Sequence, residues 1–341
     1  MNCLDNQDVE WGFDPLFSRL EIENIRYEFN LLKPQNVYHY TSLDAFKSIM
    51  KNREFWATNI YCMNDSTEYI EGLKRFKNHL EQKLSTVSDV QKKIIQLAIS
   101  HINDDTSGRI IKLSRNNIFA LCFSYNKDSL ELWNYYGGES GISIEFDWNA
   151  CHTLPGMSLI RKELYEILEK QYKDINEILP KNNLHFFPEA VVYDENRKNE
   201  IIDRLITKSL EDYEKCSSLP INISLAVTDI VDQIFLICPY LKHQGFKGEG
   251  ECRIVWNSVP SESEPFCIYQ REKDGMDIKY LKYKIVDLNC RPIQKWPIKE
   301  ITIGPGKKQR DVEEKVKEFL GENNLEDLIA KVRLSEIPLR F

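Results

Sequence analysis

The chain has 341 residues, 42% apolar and 29% charged, enough to bury a full core in one large domain or two. Its formal net charge of −8 speaks against general electrostatic coating of nucleic acid, though a local basic groove remains compatible with it. Met1 to Leu16 lacks the basic-then-apolar pattern of a targeting segment, and apolar runs such as Ile234–Cys238 are too short to span a bilayer, so no membrane association is expected.

Asp5 to Lys33 reads as a helical lead-in on Leu20, Ile22, Ile25 and Leu31, stopped by Pro34. Asn36–Tyr40 reads as a short strand. Thr41-Ser42 then sits where an N-cap belongs, before Leu43, Phe46, Ile49 and Met50 on one helical face. Glu54–Thr58 is the next strand, followed by a polar turn from Met63 to Glu68. Two amphipathic helices come next, one on Ile70, Leu73, Phe76 and Leu80, the other capped by Ser88 and carrying Ile94, Leu97, Ala98 and Ile102.

Phe119–Ser124 and Ile142–Asp147 are apolar and rich in β-branched or aromatic residues, as strands are. Between them Trp133–Gly138 reads as a short aromatic helix broken by glycines. Ser158–Leu179, Asn196–Cys216 and Ile221–Leu236 are helix-periodic, with a strand at Glu189–Tyr193 among them. Strands at Cys252–Trp256, Ile278–Ile285 and Ile298–Ile303 and a helix from Arg310 to Leu320 complete the pattern. The expected class is α+β, with residues 1–35 as the lead-in and 36–341 as one domain. Within it, the block from about 157 to 240 is a helical insertion, because no flexible linker brackets it.

The nine cysteines are scattered singly, and no Cys-x-x-Cys or His-x3-His pair has zinc-ligand spacing. Reduced thiols, a cytoplasmic location and no metal are therefore expected. The basic runs Arg109–Arg115 and Lys307–Arg310 read as solvated loop charge. No phosphate-cradling glycine loop and no Gly-x-Ser-x-Gly elbow is present.

Three separated features carry chemistry: His39-Tyr40-Thr41, then Cys122-Phe123-Ser124 with Trp133 and Tyr136, then Glu249-Gly250-Glu251-Cys252-Arg253. In this order they resemble the ADP-ribosyltransferase superfamily. More closely, residues 36 to 340 resemble a prokaryotic family of uncharacterised proteins often grouped with it. That family has a Tyr-His-Tyr-Thr opening, an Asn-Asp turn, a Cys-Phe-Ser strand, a Trp-x-x-Tyr helix and a late Glu-x-Glu-x-Arg. The opening motif and the general order also look like toxins that attach ADP-ribose to bases in DNA. The chain lacks a Ser-Thr-Ser strand, which sets it outside the arginine-modifying class.

The resemblance implies a split β-sheet core and an NAD-dependent ADP-ribosyltransferase, a toxin or phage-defence effector that modifies nucleic acid or a protein, with a cognate antitoxin as a further partner. It implies that Glu251 is catalytic, because a carboxylate beside the developing oxocarbenium charge lowers the barrier to losing nicotinamide. Glu249 would help to activate the acceptor. On an extended strand it faces the same side as Glu251, while Gly248 and Gly250 favour a turn instead. On the family's pattern His39 bonds the adenosine ribose, and the Tyr40-Thr41 backbone grips the nicotinamide amide. Tyr136 or Trp133 stacks on the nicotinamide ring. Ser124 and the Asn64-Asp65 turn would line the pocket, and Arg253 would contact a phosphate or pair with the glutamates. The alternatives are an NAD glycohydrolase and a non-catalytic module that binds nucleic acid or protein on the same fold.

Overall fold

In the computed structural model, the middle strand of one large sheet has different neighbours at the two ends of the same edge. The structure describes residues 24, 25, 28, 29, 31–63, 68–102, 117–138, 141–171, 184–215, 220–257, 267–273, 275–289 and 291–338. Most of the expected lead-in, the Asn64-Asp65 turn and the basic run 109–115 lie outside the described residues.

In chain order the elements are β1 (Val37–Ser42), α1 (Leu43–Asn52), β2 (Glu54–Asn59), α2 (Glu68–Lys83), α3 (Asp89–Ile102), β3 (Ile118–Ser124), β4 (Gly141–Phe146) and α4 (Trp148–His152). There follow β5 (Ser158–Arg161), α5 (Lys162–Gln171), β6 (Leu184–His185), β7 (Glu189–Ala190), α6 (Glu195–Lys215) and α7 (Pro220–Ile237). The last are β8 (Glu251–Asn257), β9 (Tyr269–Lys273), β10 (Met276–Val286), β11 (Ile298–Ile303), α8 (Gln309–Glu322) and β12 (Val332–Leu334). As expected, Ser42 caps α1, its hydroxyl accepting from the Ala45 N–H at 3.3 Å, and Phe46, Ile49 and Met50 form the buried face.

The sheet is mixed, since β11 and β12 run parallel while the other pairs are antiparallel. β3 pairs with β8 along its whole length, from Ile118↔Asn257 to Ser124↔Glu251. Its other edge is divided. β2 meets one end, through Thr58↔Ala120 and Asn59↔Phe119, and β1 meets the other, through Tyr38↔Ser124. From there β1 runs with β4 and β2 runs with β10, so the sheet opens beside Leu121–Phe123.

Among the described residues, two large hydrophobic cores result, beside two small clusters. One packs the sheet against α1 and α8 through residues such as Phe46, Phe55, Phe123, Phe146, Ile301 and Val316. The other lies among α2, α3, α6 and α7, with Phe76, Ile95, Leu205 and Ile230 at its centre. The helical unit is therefore not the single 157–240 insertion that the sequence suggests. It takes α2 and α3 from before β3, and within the expected block Ser158–Arg161 is a strand paired to β10. A short apolar run such as Leu159-Ile160 suits strand or helix equally, and the open edge of β10 decides it. The window Ile223–Tyr240 is long and apolar enough to cross a bilayer by composition, but it is 61% buried and packs within the helical core.

Candidate active site

Where β1 and β2 part, each loses its partner on the side facing the opening. Alternate backbone N–H and C=O groups of His39–Ser42 and Glu54–Ala57 are thus left directed into a cleft. His39 occupies its back wall. The ring sits 5.3 Å from the Phe55 ring and 5.4 Å from that of Phe123, and its Nδ1 lies 3.0 Å from the Cys122 carbonyl oxygen. A carbonyl only accepts, so Nδ1 carries the proton and Nε2 presents a lone pair. Burial pushes the imidazole down to about 4, with the bond to Cys122 opposing this only in part, so the ring is neutral at pH 7.

Strand alternation puts Glu251 and Arg253 on the same sheet face as Ser124 and Cys122, their partners on β3. There they form a buried charge cluster. Arg253 Nε donates to Glu251 Oε1 at 2.6 Å and Nη2 to Glu251 Oε2 at 2.8 Å. Nη1 and Nη2 donate to the two Glu68 oxygens at 2.5 and 3.1 Å, and Nη1 also reaches the Pro239 carbonyl at 2.7 Å. Lys242 Nζ bridges Glu249 and Glu251, at 2.7 and 2.8 Å. The backbone N–H of Glu251 donates to the Tyr193 hydroxyl at 3.0 Å.

The cluster holds three carboxylates, Glu68, Glu249 and Glu251, against two cations, Lys242 and Arg253. Burial resists ionisation of Glu251, but Arg253 and Lys242 more than offset it and hold the carboxyl at about 2. Burial prevails at Glu68 and Glu249, whose carboxyls are raised above the usual range. One carboxyl in this buried site thus has no cation of its own, and it either keeps a proton or is matched by a cation bound in the cleft.

Of the two readings of Glu249-Gly250-Glu251, the turn is the one observed. Glu249 ends a 3₁₀ segment, Gln244–Glu249, and Gly250 is left-handed with φ 53°. Ser124 fastens this turn: its hydroxyl donates to the Glu249 carbonyl at 2.6 Å and accepts from the Asn126 N–H at 2.9 Å.

His39, Tyr40, Thr41, Ser124, Tyr136, Glu249, Glu251 and Arg253 all line one cleft of about 570 Å³. Tyr136 stands over its mouth, 38% exposed. Of the two alternatives for the stacking ring, Trp133 does not line the cleft: it is 4% exposed, lies edge-on to Tyr40 at 4.7 Å, and donates from Nε1 to Asp128 at 2.8 Å. Of the two alternatives for Arg253, pairing with the glutamates is the one observed. A guanidinium has five N–H donors, and acceptors on Glu251, Glu68 and Pro239 use them all, so none is left for a phosphate. The Ser124 hydroxyl is likewise committed, and that of Tyr40 donates to the Asn126 carbonyl at 2.8 Å. Asn64 and Asp65 lie outside the described residues.

Glu68, Tyr193 and Lys242 belong to the site but carry no mark in the sequence. Glu68 looks like an ordinary acidic helix start, and Lys242 like a loop lysine; only folding brings them to Glu251. Among the described residues, no group of His, Cys, Asp or Glu could hold a metal ion.

A family model described as "Protein of unknown function (DUF2971)" matches residues 132–254. The matched span runs from the turn bearing Tyr136 through Lys242, Glu249 and Glu251 to Arg253, while β1 with His39 lies before it. No curated protein and no solved structure matches the chain.

Proposed function

We propose that the cleft binds NAD and that the chain transfers its ADP-ribose to an acceptor, with Glu251 as the catalytic carboxylate. The observation that carries this reading is a buried cluster with three carboxyls to two cations, Glu251 held ionised among them, in the opening between two half-sheets and in a cleft of dinucleotide size. Nicotinamide is a cationic ring in NAD, and the ribosyl carbon becomes more positive as the glycosidic bond stretches. A carboxylate kept ionised beside it favours that charge in the transition state. A carboxylate has about four lone-pair positions. Arg253 and Lys242 take three of those on Glu251, and the neighbouring Cys122 thiol, a weak donor, is the competitor for the one a ribose hydroxyl would use.

His39, neutral with Nε2 as acceptor, suits the other ribose. The unpaired backbone at Tyr40 and Thr41 suits a carboxamide, and the ring of Tyr136 suits the nicotinamide face. In the reaction the bond from ribosyl carbon to nicotinamide nitrogen breaks, and nicotinamide leaves neutral with the electron pair. An acceptor nitrogen or oxygen forms the new bond and passes its proton to Glu249, whose affinity for protons burial raises above that of an ordinary carboxylate.

The test incubates the protein with labelled NAD and, separately, total cell protein, RNA and DNA, alongside Glu251→Gln. Label transferred to one fraction and lost by at least a hundredfold in the variant is the expected result. Nicotinamide release without a labelled acceptor would make the protein a glycohydrolase, and neither turnover nor binding of NAD would leave a binding module. Growth arrest on expression, relieved by Glu251→Gln, is expected of a cytoplasmic toxin or defence effector.

A further inference from the structure

The face that carries Glu251 continues past the cleft as a strip of aromatic rings and cations. Pairing of β2 with β10 sets Trp56 opposite Lys282, and Tyr280 opposite Thr58, while β9 sets Tyr269 opposite Tyr280 and Arg271 opposite Ile278. The rings form a column. Trp56 and Tyr280 stack with centroids 4.4 Å apart and planes at 23°, and Tyr280 and Tyr269 follow at 5.6 Å and 26°.

Cations lie against this column. Lys282 Nζ is 4.3 Å from the Tyr269 ring centre and 5.4 Å from that of Trp56; the Arg271 guanidinium is 5.4 Å from Trp56. Glu54 shares the face, but it is buried, accepts from Trp56 Nε1 at 2.9 Å, and lies within 4 Å of Lys162, Lys282 and Lys284. At the far end Glu163 binds the Tyr269 hydroxyl and bounds the strip. At the near end Trp56, Arg271 and Lys273 line the mouth of the cleft. On a chain of net charge −8, this is a local concentration of positive charge whose exposed members, Arg271 and Lys273, flank the entrance.

We propose that this strip binds the acceptor, and that the acceptor is a single-stranded polynucleotide. The proposal rests on the reading of the cleft as an ADP-ribosyltransferase site. Phosphates would meet Arg271, Lys273 and Lys282, while bases would stack at the rim on Trp56 and on the Arg271 plane. An acidic peptide would match the cations but have no use for a ring column. A duplex would match the charge but keep its bases stacked inside, away from both rings and cleft.

The test needs no NAD. Fluorescence anisotropy of labelled twelve-nucleotide single strands, one DNA and one RNA, is measured on the full chain, with the matching duplex and polyglutamate as competitors. Single strands are expected to bind at least about tenfold more tightly than duplex, and the two arms identify the sugar. The exposed double substitution Arg271→Glu with Lys273→Glu is expected to weaken binding at least about tenfold. It should also reduce the slope of log K against log salt by about 1.4, at roughly 0.7 per phosphate contact. Trp56→Ala is expected to lose about fivefold or more. Absent single-strand binding, equal binding of duplex, equal competition by polyglutamate, or an unaffected double variant would each overturn the strip. Such a failure alongside Glu251-dependent NAD cleavage would leave the cleft reading intact, whereas oligonucleotide binding without NAD cleavage would sink the cleft reading and with it the strip's role as an acceptor site.

Discussion

Arg253 is 1% exposed and joins Glu68 to Glu251 with four of its five N–H groups, so the two carboxyl groups depend on it for partners in the interior. Replacing it with Met removes the bridge and leaves uncompensated charge in the interior. A loss of about 3–5 kcal/mol is expected, measured by urea denaturation. At His39 the folded value of about 4 lies below the roughly 6.5 of an unfolded histidine, so the unfolded chain takes up the proton first. Its contribution to stability is complete above about pH 6.5 and falls away as pH drops through 4. The imidazole carbon-bound proton should keep its neutral chemical shift by NMR down to pH 5, and His39→Gln should remove that part of the acid slope. His39, Tyr136 and Glu251 were legible as residues because they stand at motif positions. Glu68 and Lys242 were not, because their role exists only through contacts across more than a hundred positions of chain or around a turn.

Among the elements, strands with dense apolar or β-branched residues, such as β3, β8 and β11, follow directly from sequence. β9 does not: Tyr-Gln-Arg-Glu-Lys has no apolar alternation and becomes a strand by pairing with β10. Nor does the parting of β1 from β2, which depends on register and leaves no periodic trace. The turn before β8 depends on Gly250, where an added Cβ would lie 2.7 Å from Asn126 Nδ2 as well as on a left-handed backbone. Gly275 has φ 74° with nothing within 4 Å of a Cβ, so Gly275→Ala meets strain alone, about 1 kcal/mol. Gly250→Ala is expected to cost about 2 kcal/mol or more in denaturant titration and to impair NAD cleavage, since it moves both glutamates.

For the whole molecule, the α+β class was legible from composition and element order, while the split of the helical unit between two stretches of chain was not. Local periodicity says which residues form helices but not which helices share a core. The two cores meet at the site, because Glu68 opens α2 and Arg253 lies on β8. A ligand bound there steadies the junction itself. NAD at a hundred times its Kd is expected to raise unfolding free energy by about 2.7 kcal/mol, read as an upward shift of one cooperative thermal transition.

The divided edge of β3 also has a mechanical meaning. Among the described residues, the half-sheet of β1, β4, β11 and β12 and the half-sheet of β2, β10, β5, β6 and β9 are joined by strand pairing only through β3, by Tyr38↔Ser124 on one side and Thr58↔Ala120 with Asn59↔Phe119 on the other. β3 is thus the spine of a book whose two covers are stiff ladders. Phe55 on one cover packs edge-on against Phe146 on the other at 5.9 Å, within the core both share with α1 and α8, so that core sets the width of the cleft more than the few pairs along the spine do.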